Sequence, residues 1–143
     1  MKNYNALMKT AEVYAQESYC KKKKVGCVAA IDGRSIITAY NGTVSGAENC
    51  CEQIIDGVLK TNHDEVVHCE QNLIAFAAKY GIKLMGATMF ITLSPCMQCA
   101  KLIIQAGISE VIYLEEYKDI RGIYFLRKHG VVCKKFKKHR SFQ

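Results

Sequence analysis

The sequence has little that would interrupt or extend a compact fold. Its 143 residues include one proline and no tryptophan, and they contain no internal repeat and no linker rich in glycine or serine. No uncharged stretch reaches the ~18 apolar residues that a membrane-spanning helix needs. The N-terminus also lacks the apolar segment of a secretion signal. We therefore expect one domain over residues 1–143, located in the cytoplasm and without a membrane partner.

The composition is typical of a globular protein with a basic surface. Half of the residues are apolar, which is enough for one sizeable core and excludes a disordered chain. Lysine and arginine exceed aspartate and glutamate by 20 to 13, giving a formal charge of +7. Such a surface attracts phosphates, nucleotides or nucleic acid. Because a secretion signal is lacking, the eight cysteines favour reduced thiols or metal ligands over a disulfide framework.

Hydrophobic periodicity divides the chain into helices and strands. It predicts helices at residues 5–17, 68–80, 96–106 and 119–129, and strands at residues 25–31, 35–40, 87–93, 111–114 and 131–135. A short helix is also expected near residues 52–59, in the long connection after Asn41-Gly42. A hairpin at Asp32-Gly33 followed by alternating helices and strands predicts an α/β fold. We expect a three-layer α/β/α sandwich with a mixed five-stranded sheet.

Two short clusters carry the chemistry. His68-Cys69-Glu70 opens one predicted helix, and Pro95-Cys96-Met97-Gln98-Cys99 opens the next. Together they spell H-x-E…P-C-x-x-C, the signature of zinc deaminases. Their spacing places Cys96 and Cys99 on one helix face, and the positive helix N-terminus favours the thiolate forms that bind zinc. With His68 as third ligand, a fourth position stays open for water, as in catalytic zinc sites.

Glu70 is expected to act as general acid and base. It is two residues from His68, too close for both side chains to point readily at one ion, and a carboxylate beside zinc-bound water can transfer protons. Taken alone, His68 could be a helix cap, and the Cys-x-x-C motif a redox pair. A closed zinc site that only stabilises the fold is a further alternative, but it leaves Glu70 without a role. The ordered occurrence of the whole signature favours a zinc hydrolase.

These motifs resemble those of the deoxycytidylate (dCMP) deaminase family, within the cytidine deaminase-like superfamily. The resemblance spans about residues 18–136. It rests on Val25-Gly26-Cys27-Val28, Tyr40-Asn41-Gly42, His68-Cys69-Glu70-Gln71-Asn72 and Leu93-Ser94-Pro95-Cys96-Met97-Gln98-Cys99-Ala100. It implies zinc-dependent hydrolysis of dCMP to dUMP, feeding dTMP synthesis, and leaves open whether dCTP is also converted. It further implies a homo-oligomer, a hexamer or trimer, activated by dCTP with Mg²⁺ and inhibited by dTTP.

The same resemblance implies roles for residues around the two clusters. Asn41 matches an asparagine that contacts the sugar, and Asn41 with Gly42 lies in a loop used near effector and substrate. Tyr117 matches an aromatic residue at the mouth of the pocket. Where the family commonly carries an arginine, this sequence has Lys22. Either Lys22 or Lys24 is expected to meet the substrate phosphate, the alternative being that the lysine run is a solvated face.

Further cysteines near these motifs carry separate expectations. Cys20, Cys50 or Cys51, and His63 resemble residues that bind a second, structural zinc in several family members, although a fourth ligand is not obvious. Reduced thiols are the alternative. Cys69 stands where the family usually has alanine, and we expect a variation in packing.

Two other classes of protein share parts of this pattern. A nucleic-acid deaminase, acting on tRNA adenosine or single-stranded cytosine, would use the same zinc chemistry. A basic nucleic-acid-binding protein without catalysis would need only the +7 charge. The lack of tryptophan and the short loops leave little surface for stacking bases. We therefore do not expect nucleic acid as the partner.

Overall fold

The computed structural model describes residues 4–138 and places helices on both faces of a central sheet. Within these residues, the helices are α1 (Tyr4–Ala15), α2 (Cys69–Tyr80), α3 (Met97–Gln105) and α4 (Arg121–Lys128). The strands are β1 (Gly26–Ile31), β2 (Arg34–Tyr40), β3 (Gly42–Thr43), β4 (Glu52–Ile55), β5 (Val58–Thr61), β6 (Val66–Val67), β7 (Thr88–Leu93), β8 (Glu110–Glu115) and β9 (Val132–Lys135). Among residues 4–138, no helix has the length and apolar character needed to cross a bilayer.

The central sheet has five strands in the order β2-β1-β7-β8-β9. Strand β1 pairs antiparallel with β2 and β7, whereas β7, β8 and β9 run parallel. Antiparallel neighbours can be joined by a tight turn, but parallel neighbours need a crossover, which α3 and α4 supply. The predicted mixed five-stranded sheet is confirmed.

Alternate residues of the strands build two cores, one on each face of the sheet. In β7, Met89 and Ile91 pack into a cluster with residues of α2, α3 and α4. Phe90 points to the opposite face and packs with Leu7 and Met8 of α1. This alternation follows from the two-residue period of a strand. It produces the three layers that the sequence predicts.

Local sequence fixes where the two central helices begin and end. The side chain of Gln71 accepts a hydrogen bond from the backbone N–H of His68 at 2.7 Å, which satisfies one donor at the start of α2. Gly81 ends this helix with a left-handed φ of 68°, a conformation that favours glycine. Helix α3 begins directly after Cys96. Because Pro95 lies before the helix, its missing backbone N–H removes no hydrogen bond within the helix.

Gly122 allows α4 to pack tightly against the Pro95-Cys96 segment. A Cβ atom at this position would lie 2.2 Å from the carbonyl oxygen of Pro95 and 2.9 Å from that of Cys96. No larger side chain fits there without movement of backbone. The first turn of α4 therefore supports the residue that starts α3.

The prediction of a helix near residues 52–59 is wrong. The segment forms a hairpin of β4 and β5, with Glu52 paired to Thr61 and Ile55 to Val58. Its turn holds Asp56 and Gly57 at φ values of 53° and 76°. Two positive φ angles define the type I′ turn that matches the twist of a hairpin, and Asp-Gly between apolar residues was the available signal. The other predicted elements are confirmed, with ends that differ by at most two residues.

Candidate functional site

The two sequence clusters meet where α2 and α3 begin. His68 is the residue before α2, while Cys96 precedes α3 and Cys99 lies in its first turn. The Nδ1 atom of His68 lies 3.6 Å from the Sγ atom of Cys96 and 3.4 Å from that of Cys99. The three ligand atoms all lie within 4.8 Å of one another. The structure thus brings together the three residues that the sequence selected.

The spacing of these atoms fits a zinc ion. Bonds of about 2.0 Å to nitrogen and about 2.3 Å to sulfur, in a tetrahedral arrangement, require a nitrogen–sulfur separation of roughly 3.5 Å. Both separations from His68 agree with this value. One imidazole and two thiols are also ligands that suit zinc. Three protein ligands are the number found in catalytic zinc sites, whereas structural sites usually have four.

The thiols of Cys96 and Cys99 have pKa values shifted in opposite directions. A hydrogen bond from Cys99, supplemented by one from His68, lowers the pKa of the Cys96 thiol to about 4. The same bond between the cysteines, together with burial, raises the pKa of Cys99. The hydrogen bond with Cys96 also raises the pKa of His68. A thiolate at Cys96 provides a ready metal ligand, and metal binding would displace the remaining protons.

Glu70 lies in the first turn of α2 with only 5% of its surface exposed. Burial is the main reason that the pKa of its carboxyl group rises to about 7. A carboxyl group with such a pKa is suited to exchange protons near neutrality. Glu70 lines the same cavity as His68 and Cys96. The acid-base group Glu70 and the metal-binding residues His68 and Cys96 therefore face the same cavity.

This cavity has a volume of about 210 Å³. Besides the metal-binding group and Glu70, its lining includes Lys22, Asn41 and Tyr117, each selected from the sequence as a substrate contact. A mostly apolar cavity with a few converging polar groups is typical of a small-molecule site.

Comparison with known proteins identifies the family. Residues 1–115 match the family model described as the cytidine and deoxycytidylate deaminase zinc-binding region. The chain belongs to this family. It is 35% identical to the deoxycytidylate deaminase of Enterobacteria phage T4, over 79% of this chain and 78% of that protein. It is 34% identical to the deoxycytidylate deaminase of Mycobacterium phage D29, over 74% of this chain and 89% of that protein.

A solved structure gives the same result for the fold. The dCMP deaminase of cyanophage S-TIM5, in complex with dCMP and dUMP, superposes with a TM-score of 0.86 at 40% sequence identity. The match covers 95% of this chain and 99% of the cyanophage chain. The expected cytidine deaminase-like fold is confirmed.

In this chain, Asn41 binds the backbone of the lysine segment, which we define as residues 21–24. Its side-chain oxygen accepts a hydrogen bond from the N–H of Val25 at 2.9 Å, and its amide nitrogen donates to the carbonyl oxygen of Lys23 at 2.8 Å. The sequence predicted a sugar contact for Asn41. The structure places Asn41 in the cavity lining, and the sugar contact stays a prediction.

Gly42 follows Asn41 but is buried against another residue. A Cβ atom here would lie 2.7 Å from the hydroxyl oxygen of Tyr19, whose hydroxyl group accepts a hydrogen bond from the N–H of Thr43. The absence of a side chain at Gly42 is therefore required by packing against Tyr19. The effector contact expected at Asn41 and Gly42 stays a prediction.

The four consecutive lysines differ in placement. Lys22 and Lys23 line the cavity. The ammonium group of Lys23 forms an exposed ion pair with Glu115 at 2.8 Å. Lys24 does not line it, and its ammonium group donates to the carbonyl oxygen of Ser18, so of the two lysines expected to meet the phosphate the structure places only Lys22 at the cavity. Sequence reasoning missed Lys23 because a run of identical side chains gives no sign of which ones point inward.

Tyr117 is held at the cavity by its backbone. Its N–H donates to the side-chain oxygen of Ser94 at 2.7 Å, and Ser94 is buried directly before Pro95. The Tyr117 position is thus tied to the segment that carries Cys96. Sequence analysis did not select Ser94, although its place in the motif was a usable signal.

Cys20, Cys50 and His63, which were expected to bind a second zinc, do not form a group with metal-ligand spacing within residues 4–138. Cys20 is joined to Cys51 by a disulfide bond with a Cα–Cα distance of 5.1 Å. Cys50 is exposed, and its thiol donates to the carbonyl oxygen of Glu52 at 2.9 Å. In the part of the chain that the structure describes, His68 with Cys96 and Cys99 is the only group with metal-ligand spacing.

The disulfide also corrects the expectation that all cysteines are reduced or bound to metal. Spacing in the sequence could not reveal the pairing, because Cys20 and Cys51 are 31 residues apart and meet only through the path of the long connection. Cys69 behaves as expected. It is buried in the core, where its thiol donates to the carbonyl oxygen of Ala39 at 3.3 Å, and burial raises its pKa well above the usual value.

Proposed function

We propose that this chain is a zinc-dependent deaminase that hydrolyses dCMP to dUMP and ammonia. The observation that carries the proposal is one cavity lined by the metal-binding His68, the buried carboxyl group of Glu70 and the basic side chain of Lys22. This arrangement combines a metal, a proton carrier and a cation for an anionic substrate. The deoxycytidylate deaminases among its relatives support the choice of substrate.

His68, Cys96 and Cys99 hold the zinc ion in this proposal. A zinc ion held by these residues would supply an activated water molecule for attack on the ring carbon that bears the amino group. Glu70 would take one proton from the water and pass it to the adjacent ring nitrogen. It would then take the second proton from the hydroxyl group now on the ring carbon and give it to the amine, which leaves as ammonia. Its burial keeps bulk water from competing for these transfers.

Residues on the other parts of the lining hold the nucleotide. Asn41 contacts the sugar, and Tyr117 packs against the base at the mouth of the cavity. Lys22 pairs with the 5′-phosphate as a point charge. In residues 4–138 no ion pair engages the Lys22 ammonium group, so it is available for this contact. The cyanophage enzyme in complex with dCMP and dUMP supports a nucleotide monophosphate as ligand.

We extend the proposal to the control and assembly that the family resemblance implies. The enzyme acts in the cytoplasm as a homo-oligomer, a hexamer or trimer, and is activated by dCTP with Mg²⁺ and inhibited by dTTP. Asn41 and Gly42 form the effector contact. The hydrogen bonds from Asn41 to the lysine segment support this role, since they connect that contact to the substrate cavity.

A deamination assay tests the proposal. Loss of cytosine absorbance is followed with dCMP, dCTP, deoxycytidine and a cytosine-containing oligonucleotide, with and without dCTP or dTTP as effector. We expect turnover of dCMP that falls roughly 100- to 10,000-fold in Glu70→Gln, with zinc content unchanged. The matched control Glu48→Gln changes an exposed carboxylate and retains activity.

Other outcomes of this assay contradict the proposal. Turnover of the oligonucleotide with dCMP inert would identify a nucleic-acid deaminase. A protein that binds zinc but deaminates nothing would carry a structural metal only.

A further inference from the structure

Glu52 is a buried carboxylate outside the metal-binding group. Only 7% of its surface is exposed, and it lies at the start of β4. Its two oxygens accept hydrogen bonds from the backbone N–H of Lys21, each at 3.0 Å, and one oxygen also accepts from the N–H of Lys22 at 3.0 Å. A buried carboxylate is costly unless such bonds satisfy it. Glu52 therefore has a defined task in the folded state.

That task concerns the main chain of the lysine segment. Within residues 4–138, no lysine, arginine or histidine forms an ion pair with Glu52. Its carboxylate oxygens accept hydrogen bonds from backbone N–H groups, as a carboxylate does when it caps the N-terminus of a helix. The side chains of Lys21 and Lys22 are left unengaged by this contact. Glu52 thus fixes the backbone position of Lys21 and Lys22 without neutralising their ammonium groups.

Two neighbouring contacts hold the same segment. The disulfide bond between Cys20 and Cys51 joins the residues directly before Lys21 and Glu52. Asn41 holds the other end through the backbone of Lys23 and Val25. A segment held at both ends loses little further freedom when a ligand binds. This rigidity matters because Lys22 has a long side chain with high rotamer entropy.

We propose that Glu52 is a positioning residue that fixes the backbone of Lys22 so that its ammonium group meets the substrate phosphate. The inference rests on the proposed function and extends it to substrate selection. Glu52 itself lines the cavity, and its negative charge would repel a phosphate group. Positioning and repulsion therefore predict opposite effects of neutralising Glu52, which makes the proposal testable.

The test compares kcat and KM of Glu52→Gln and Glu52→Ala with dCMP and with deoxycytidine, which lacks the phosphate. We expect the KM for dCMP to rise about tenfold in Glu52→Ala and less in Glu52→Gln, because glutamine keeps one acceptor oxygen. The kcat for dCMP and the kcat/KM for deoxycytidine should change by less than about twofold. The matched control Glu48→Gln changes an exposed carboxylate of the same connection and should leave the KM unaltered.

A double variant shows whether Glu52 acts through Lys22. Lys22→Gln alone should raise the KM for dCMP, and adding Glu52→Ala should raise it little more, because the two residues act in one chain of contacts. Fully additive effects would overturn the proposal. Thermal unfolding and zinc content are measured for each variant, so that a variant that fails to fold is recognised.

The remaining results separate this inference from the proposed function. A lower KM for dCMP in Glu52→Gln would show that repulsion dominates and would overturn the positioning role. Equal losses with dCMP and deoxycytidine would assign Glu52 to general stability instead. If the wild-type protein converts dCMP but the Glu52 variants match it, only the Glu52 proposal fails. If the wild-type protein does not convert dCMP, both proposals fail.

Discussion

The Nδ1 atom of His68 lies 3.4 Å from the Sγ atom of Cys99, although the two residues are 31 positions apart in the chain. They meet because α2 and α3 pack on the same face of the sheet, and each helix contributes a ligand at its beginning. Helix N-termini carry partial positive charge, which favours thiolate ligands. The metal-binding group is therefore built at the starts of two helices that pack against the main core.

Removal of Cys99 should abolish zinc binding and activity. The Cys99→Ala variant loses one of three ligands, so we expect zinc content near zero and no measurable turnover of dCMP. Metal analysis and the absorbance assay check both effects. Cys133→Ala, which removes a buried thiol in the edge strand β9, serves as the control and should retain zinc. Normal zinc content in Cys99→Ala would disprove the ligand assignment.

Lys22 and Lys24 should differ in their effects on substrate affinity. Lys22→Gln should raise the KM for dCMP about tenfold, as expected for loss of a charged contact. Lys24→Gln should leave it nearly unchanged, since the ammonium group of Lys24 donates to Ser18 and does not line the cavity. Steady-state kinetics of the two variants make a matched comparison. Equal effects of both substitutions would indicate a diffuse electrostatic role for the lysine segment.

Substitution of Gly122 should destabilise the fold and weaken the metal site. In Gly122→Ala the new Cβ atom would overlap the carbonyl oxygen of Pro95, and such overpacking costs about 1–3 kcal/mol. We expect a lower midpoint of urea unfolding and weaker zinc binding by competition with a chelator. Lys128→Ala, an exposed position in the same helix, should change stability by less than about 0.5 kcal/mol. Stability equal to the wild type in Gly122→Ala would contradict the close approach.

Reduction of the disulfide bond should lower stability. Cys20 and Cys51 close a loop over a separation of 31 residues, for which chain entropy predicts a contribution of about 3–4 kcal/mol. A dithiol reductant should therefore lower the Tm by roughly 10 °C. The double variant Cys20→Ser with Cys51→Ser should have this lower Tm both with and without the reductant. A wild-type Tm that does not respond to the reductant would show that the bond contributes little.

The metal-binding group and most of the fold could be predicted because their signals are local. His68 and Cys96 stand directly before periodic apolar segments, and glycines such as Gly81 mark where helices end. The spacing within each motif then determines which side chains share a face. Such signals need no knowledge of how distant segments meet.

The connection between β3 and β6 could not be predicted in the same way. Although Asp56-Gly57 marked its hairpin, its disulfide bond and the burial of Glu52 depend on where this segment lies against the lysine segment. A carboxylate in an exposed-looking sequence gives no sign that it will accept backbone hydrogen bonds. The choice between Lys22 and Lys24 depends on the same contacts, since adjacent residues of an irregular segment have no fixed period.

In the proposed function, chemistry and substrate selection depend on separate segments of the chain. Zinc binding and proton transfer are assigned to the starts of α2 and α3, whereas the lysine segment is held by the hairpin connection through Glu52 and Cys51. Evolution could therefore alter this connection to accept a larger or smaller anionic group while the reaction itself is preserved. Libraries that vary residues 52–61 offer the corresponding route for engineering a deaminase with a new nucleotide preference.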